Sequence, residues 1–482
     1  MAKGEKREFV THITPREEDF SQWYTDVILK ADMVDYSDVK GCMVIKPYGY
    51  GIWENIQREM DRRFKETGHK NAYFPLFIPE SLLAKEAEHV EGFAPEVAWV
   101  TQGGNEKLQE RLVVRPTSET IICSMYAKWI QSHRDLPVLI NQWCNVVRWE
   151  KSTRPFLRTS EFLWQEGHTA HVDYEEAQEE TIRMLGVYEE FARNVLAIPV
   201  VTGQKSEKEK FAGAQATYTM EAMMQDGKAL QMGTSHNLGE HFARVFDIQY
   251  LDKDGKLKYV NQTSWGTSTR MIGGLVMVHG DERGLLLPPG VAPIQAVILP
   301  IAMHKEGVLE KAKEICRILE QAGIRVEVDD RETQTAGWKF NEWELKGVPV
   351  RLEVGPRDIE KGQVLACRRD TLEKLPLPVD SLPGSVTALL GDIHATILQK
   401  ATDMRDARTY TVTDFDGFVE GIVEKKGFVK AMWCGERDCE DAIKEKTGAT
   451  TRCMPFEQEK LSDVCVHCGR PAKAMTYFAR AY

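Results

Sequence analysis

The chain has 482 residues, 42% of them hydrophobic, enough to bury several cores and to make roughly three domains. Its formal net charge of −11 argues against non-specific coating of nucleic acid but leaves room for a local basic site. The N-terminal stretch MAKGEKREFVTHITPREEDF has no apolar core and no apolar run approaches a membrane span, so neither a secretory signal nor a spanning helix is expected, and the expected location is cytoplasmic.

Taken in order, residues 20–40 predict a helix, with Trp23, Val27, Ile28 and Ala31 at helical spacing. A longer amphipathic helix is expected over 52–69, closing near Gly68. Residues 72–80 read as a strand broken by Pro75 and Pro79, tolerable at a sheet edge where no ladder N–H is needed. The next periodic stretch, LVVRPTSETIICSMYAKWI, predicts a strand, a turn at Pro116 and a helix capped by Thr117 or Ser118. Glu119 then stands in the first helical turn, where a carboxylate offsets the helix dipole or accepts from a ligand ammonium.

QWCNVVRWE and RTSEFLWQEGH alternate polar and bulky residues on either side of the basic loop Lys151–Pro155, which predicts an antiparallel hairpin. Alternation puts Arg148 and Glu150 on one face, and Arg158, Phe162, Trp164, Glu166 and His168 on one face of the return strand. That mixture suits the floor of a polar ligand site: guanidinium for phosphate, Phe for a base, a carboxylate for an exocyclic amine. It equally suits a solvated hairpin laced with ion pairs.

An amphipathic helix is expected at 174–196, then a strand at IPVVTG. ATYTMEAMM and KALQMGTSHN predict a hairpin through Asp226-Gly227, a type I′ signal. A regular second strand puts Gln231 opposite Thr234 and His236, and a bulge at Gly233 would reconcile them. SWGTSTRMIGGLVMVHG is a glycine-containing turn running into an apolar helix, with Arg270 at the junction. The sequence has no G-x-x-x-x-G-K-[ST], which excludes a P-loop. From about residue 290 strands and helices alternate, with helices at 306–322, 335–346 and 385–405, predicting a compact α/β unit.

Five of the ten cysteines crowd the tail. Cys434-x4-Cys439 and Cys465-x2-Cys468 have the spacing of a closed four-thiolate zinc site, structural rather than catalytic. Cys453 is expected to pack as a small hydrophobe, and His467 to point away from the cluster.

Arg148-x-Glu150, a loop, then Arg158-x3-Phe162 resembles the second signature motif of class II aminoacyl-tRNA synthetases. RPTSET at 115–120, FLRTSEFLWQEGH at 156–168, GTSHNLG at 233–239 and WGTSTR at 265–270 resemble the prolyl-tRNA synthetases, in their archaeal and eukaryotic branch. The similarity runs over nearly the whole chain. It implies an α/β protein in three parts: an α+β catalytic domain at 1–285 built on an antiparallel sheet, an α/β anticodon-binding domain at 286–405, and a small zinc-binding domain at 406–482. It also implies a homodimer through the helix and strand of residues 52–80, and an ATP-dependent activation of L-proline followed by transfer to tRNA(Pro).

Residue by residue, the resemblance makes Arg148, Arg158 and Arg270 catalytic, with Mg²⁺ accompanying ATP. It gives proline contacts to Thr117, Glu119, Trp164 and Glu166, and also to His168, His236 and Arg148. It gives ATP contacts to Glu150, Thr159, Phe162 and Gln231, and also to Thr234, Ser268 and the three arginines. Ser268 departs from the pattern, standing where the wider class often has glycine. Arg351, Glu353 and Arg357 are candidate readers of unstacked bases, or residues of an ordinary strand-turn. Tyr482 is expected to fold back toward the active site, and no editing domain is expected between residues 169 and 264. Another class II synthetase of the same subgroup, or a non-catalytic relative, remains the alternative.

Overall fold

The computed structural model describes residues 13–87 and 96–482. Its main sheet has, among the described residues, eleven strands drawn from distant parts of the chain. Six antiparallel strands form the middle, in the spatial order Val200–Gln204, Ala216–Met223, Ala229–Gly239, Asn261–Ser268, Glu161–His171 and Val138–Val147. Alternation sends Trp265 of this sheet into a core with Ile52, Phe64, Tyr188 and Ile272, contributed by the helices Pro47–Glu66, Tyr174–Asn194 and Arg270–His279. Glu166 and His168 therefore fall on the other face, which the site uses.

Several expectations shift for local reasons. The first helix ends at Lys30 rather than 40, because Asp32 adopts a left-handed φ of 66° before the short strand Val34–Tyr36. The second begins at Pro47, whose fixed φ suits a first helical turn. Residues 72–80 do not make one strand. Lys70–Asn71 joins the main sheet in parallel beside Ile140, while Phe77–Pro79 pairs with Leu112–Val114 in a separate three-stranded sheet. The turn at Asp226-Gly227 is not type I′, which needs two left-handed residues. Only Gly227 is left-handed, at 80°, and the turn closes from Met224 N–H to Lys228 C=O at 2.9 Å.

The predicted hairpin is real but its loop is longer than expected. Register ends at Val147↔Glu161, so Arg148, Glu150 and Arg158 lie on the loop and strand alternation does not place them. The ladder stops because other segments take its groups: Trp149 N–H donates to Glu96 C=O and Ser160 N–H to Gly41 C=O, both at 2.8 Å.

The second unit is a five-stranded sheet ordered Val326–Val328, Ala296–Pro300, Val350–Val354, Gln363–Arg368 and Lys374–Pro378, packed through Ile298 and Leu352 on Ile315 and Val386. Strand Lys374–Pro378 was not foreseen; KLPLP carries two prolines and reads as a breaker. Helix Leu382–Ala407 then leads to strands Thr409–Thr411, Phe428–Trp433, Ala474–Ala479 and Thr450–Pro455. These extend the central sheet, because Met454 and Pro455 pair with Gln204 and Gly203. The backbones approach so closely there that a Cβ on Gly203 would lie 2.3 Å from the Met454 carbonyl oxygen. Residues 169–264 are occupied by the helix, the sheet strands, helix His241–Phe246 and the hairpin Gln249–Tyr259, with no inserted domain.

Candidate active site

The polar face of the central sheet forms the floor of a cavity of about 290 Å³. Strand alternation delivers Phe162, Trp164, Glu166 and His168 to it from Glu161–His171. Gln231, Thr234 and His236 all reach it from Ala229–Gly239, because the register slips by one residue: Met220 faces Gly233 and Glu221 faces Gln231, leaving Met232 as the bulged residue. The bulge thus sits one residue before the glycine that the sequence singled out. Thr117 and Glu119 enter at the N-terminus of helix Glu119–Trp129. Neither Thr117 nor Ser118 caps that helix: Thr117 donates to Glu119 and Ser118 to Glu166.

Arg148 and Arg270 complete the wall, and Ser268 lies beside Arg270, accepting its backbone N–H at 3.2 Å. Arg148 donates Nε–H to Pro116 C=O at 3.0 Å and stacks over Phe162 and Trp164, 5.5 and 5.4 Å from their centroids. It lines the cavity and is exposed. Arg270 donates Nε–H to Leu157 C=O at 3.1 Å. Burial, then the neighbouring charges of Arg148 and Arg158, push the Arg270 pKa down, but an arginine stays charged. Three guanidinium groups near one another repel, and an anion between them removes the repulsion.

Below them lies a buried ion pair. His168 Nε2 is 2.9 Å from Glu166 Oε2, and Gln142 donates to Glu166 Oε1 at 2.9 Å. Burial raises the Glu166 pKa, but His168, Ser118 and Gln142 outweigh it and hold the carboxyl below its ordinary value. Burial likewise opposes the His168 charge, and Glu166 overcomes it, so this imidazole titrates above its ordinary value. His236 goes the other way: burial, with the positive charges of His168 and Lys205, pushes it down to about 3. Its ring is neutral, tied to Thr217 at 2.9 Å and Thr234 at 3.0 Å.

Of the sequence candidates, Glu150, Arg158 and Thr159 do not line the cavity. Arg158 is exposed and pairs loosely with Glu150 at 3.9 Å, while Thr159 donates to Glu161 C=O at 2.7 Å. Sequence reasoning missed Lys205, Glu209 and Phe211, which line the cavity from the segment after strand Val200–Gln204, and Thr217 on strand Ala216–Met223. The Phe211 ring lies 4.7 Å from that of His236. KSEKEKF reads as a solvated charge run, and only its lone aromatic among charges hinted otherwise.

The four tail cysteines converge, with all four sulfurs within 4.8 Å of one another and three of the residues buried. Cys439–Cys465 and Cys434–Cys468 are each separated by 3.6 Å. A tetrahedron of ~2.3 Å Zn–S bonds has edges of about 3.8 Å, so the donor set fits zinc. Cys453 lies outside the group, buried on strand Thr450–Pro455. His467 does not point away: its Nδ1 is 3.4 Å from Cys439 Sγ, and Lys446 contacts its other nitrogen at 3.0 Å. Tyr482 packs on the signature loop, its hydroxyl donating to Asp226 at 2.6 Å and its ring 5.5 Å from the Arg154 guanidinium.

In the second unit, Arg351 and Glu353 are buried on strand Val350–Val354 and engaged with each other at 3.1 Å. Arg351 also pairs with Glu344 and Glu353 with Lys374, each at 2.9 Å. Neither presents an unoccupied edge to a base; of the three candidates only Arg357 is exposed.

Three family models match separate parts of the chain. Residues 99–279 match the family model described as tRNA synthetase class II core domain (G, H, P, S and T). Residues 295–389 match an anticodon binding domain, and 415–482 match "Prolyl-tRNA synthetase, C-terminal". The chain is 67% identical over 482 residues to a proline–tRNA ligase of Alkaliphilus oremlandii, covering 100% of both chains. It is 63% identical to proline–tRNA ligase 2 of Clostridioides difficile, again covering 100% of both. It is 60% identical over 476 residues to proline–tRNA ligase 2 of Bacillus cereus, covering 99% of this chain and 100% of that one.

Proposed function

Because this chain belongs to the prolyl-tRNA synthetase family, we propose that the cavity under Arg148 and Arg270 is where its two substrates are joined. The enzyme is a proline–tRNA ligase. An oxygen of the proline carboxylate attacks the α-phosphorus of ATP, forming prolyl-adenylate and expelling pyrophosphate. A ribose hydroxyl at the tRNA 3′ end then attacks the prolyl carbonyl and AMP leaves. Class II synthetases take ATP with Mg²⁺, which shields phosphate charge.

One observation carries the assignment: Arg148, Arg270, Phe162 and the buried Glu166–His168 pair meet in one cavity of substrate size. Arg148 and Arg270 hold phosphate and carboxylate oxygens, Phe162 offers a ring to adenine, and Gln231, Thr234 and Ser268 supply polar contacts to ATP. Thr117 and Glu119 accept from the secondary ammonium of proline, whose two N–H groups need two acceptors. Trp164, Glu166, His168 and His236 form the rest of that subsite. Arg158, with Glu150 and Thr159 beside it, acts from the loop rather than the cavity wall.

The four cysteines would hold a structural zinc ion that ties the end of strand Phe428–Trp433 and helix Arg437–Thr447 to the connection carrying Cys465 and Cys468. Exposed Tyr73, Phe77 and Trp99 around the short three-stranded sheet support a homodimer formed there. Arg357 remains a candidate for tRNA contact. No helix among the described residues is long and apolar enough to cross a membrane, and a cytoplasmic location suits the tRNA substrate.

ATP–pyrophosphate exchange with each amino acid in turn tests the reading. Proline-driven exchange that Arg270→Ala lowers by ~10²–10³ is expected. Exchange driven by another amino acid, or untouched by the substitution, overturns the site assignment.

A further inference from the structure

The cavity wall holds a cation that the reaction above leaves without a role. Lys205 is 5% exposed, follows strand Val200–Gln204 and lines the cavity. Its ammonium reaches Glu221 Oε1 at 3.4 Å, a long contact. Glu221 is fully buried, and the same oxygen accepts from Thr219 Oγ1 at 2.9 Å. Its other oxygen is engaged more tightly by Arg452, from Nε at 3.0 Å and Nη2 at 2.8 Å. Arg452 comes from strand Thr450–Pro455 of the C-terminal unit and crosses the junction with the catalytic sheet.

Two cations thus surround one carboxylate, leaving one positive charge in excess. Of the three side chains, only Lys205 lines the cavity. Arg452 supplies two short donors and fixes the carboxylate toward the junction. Without it, Glu221 would close on Lys205 and cancel the charge that faces the substrate.

We propose that Lys205 binds an anionic oxygen of the substrates, and that Arg452 is a positioning residue which holds Glu221 away so that the ammonium stays available. The chemistry recognised is a carboxylate or phosphate oxygen, from proline or from ATP. The proposal rests on the cavity being the site of prolyl-adenylate formation. The test is therefore run on full-length enzyme whose proline-dependent exchange has been shown to require Arg270.

Proline and ATP are varied separately in pyrophosphate exchange for the wild type, Lys205→Met, Arg452→Met, the double variant and Arg452→Lys. The expected result is a rise of about tenfold in one KM in both single variants, with kcat little changed, as for a lost charge-assisted contact. A rise for proline assigns the carboxylate; a rise for ATP assigns a phosphate. The double variant should be no worse than Lys205→Met, because both changes remove the same contact, and Arg452→Lys should recover part of the loss. Arg452→Met with both KM values unchanged overturns the proposal, as do additive effects in the double variant. Thermal midpoints are recorded alongside. If Arg452→Met does not fold, Lys205→Met decides alone, and unchanged KM for both substrates rejects the idea.

Discussion

His168 Nε2 lies 2.9 Å from Glu166 Oε2, and both side chains are almost wholly withdrawn from water. The Glu166 pKa is held below its ordinary value, so its share of stability is present above the unfolded carboxylate pKa and lost as pH falls through the lowered one. The His168 pKa is raised above 6.5, so its share is complete below 6.5 and lost as pH rises through the raised value. The pair therefore stabilises most between those limits. His168→Ala should cost ~3–5 kcal/mol near pH 6, by leaving a buried charge unpaired. A denaturant midpoint at pH 6 equal to that of the wild type would contradict this.

His236 has the opposite sign. The folded state resists protonation down to about pH 3, whereas the unfolded imidazole protonates near 6.5, so stability falls as pH drops below 6.5. His236→Gln should remove part of that acid sensitivity. Urea unfolding at pH 7 and pH 5 should show the wild type losing more stability on acidification than the variant does. Equal losses would mean that the ring is not held neutral.

Arg148→Ala and Arg270→Ala should each lower the rate of proline-dependent exchange by ~10²–10³, the cost of removing one aimed donor to a developing anion. Their thermal midpoints should stay near the wild type, because among the described residues each guanidinium makes a single hydrogen bond, to a protein carbonyl. Retained exchange would move the phosphate site elsewhere.

Cys465→Ser should abolish binding of one zinc ion per chain and loosen the C-terminal sheet. Hydrogen exchange should accelerate in strands Phe428–Trp433 and Ala474–Ala479, and then at Val200–Gln204 across the junction. Full protection of those strands after metal removal would show that the sulfurs do not hold the unit together.

Gly203→Ala places a Cβ against the Met454 carbonyl. The strands must separate, at a cost of about 1–3 kcal/mol by analogy with overpacking. The melting temperature should fall, and proline-dependent exchange with it, because Arg452 shares that strand. An unaltered melting curve would show that the junction is slack.

Much of this architecture was legible in the sequence because it rests on periodicity. Phe162, Trp164, Glu166 and His168 follow from alternation alone, and the tail cysteines from spacing alone. What stayed hidden depends on groups distant in the sequence or on segments without a period. Arg148, Glu150 and Arg158 left the strands because Glu96 and Gly41 capture loop donors, and local pattern carries no trace of that. Lys205 and Phe211 went unseen because a charged connection has no period to read. The pairing of Arg351 and Glu353 was not legible either, because a strand with two charges looks exposed until Glu344 and Lys374 are placed beside it.

The contact between Glu221 and Arg452 spans 231 positions of chain. At ~5–20 residues per second of synthesis, the carboxylate waits roughly ten to fifty seconds for its partner. During that interval a nascent catalytic sheet has Lys205 as the only basic group among Glu221's hydrogen-bonding partners, and its edge at Val200–Gln204 is uncovered. The ribosome thus makes every residue that lines the substrate cavity, from Thr117 to Arg270, well before the arginine that fixes Glu221.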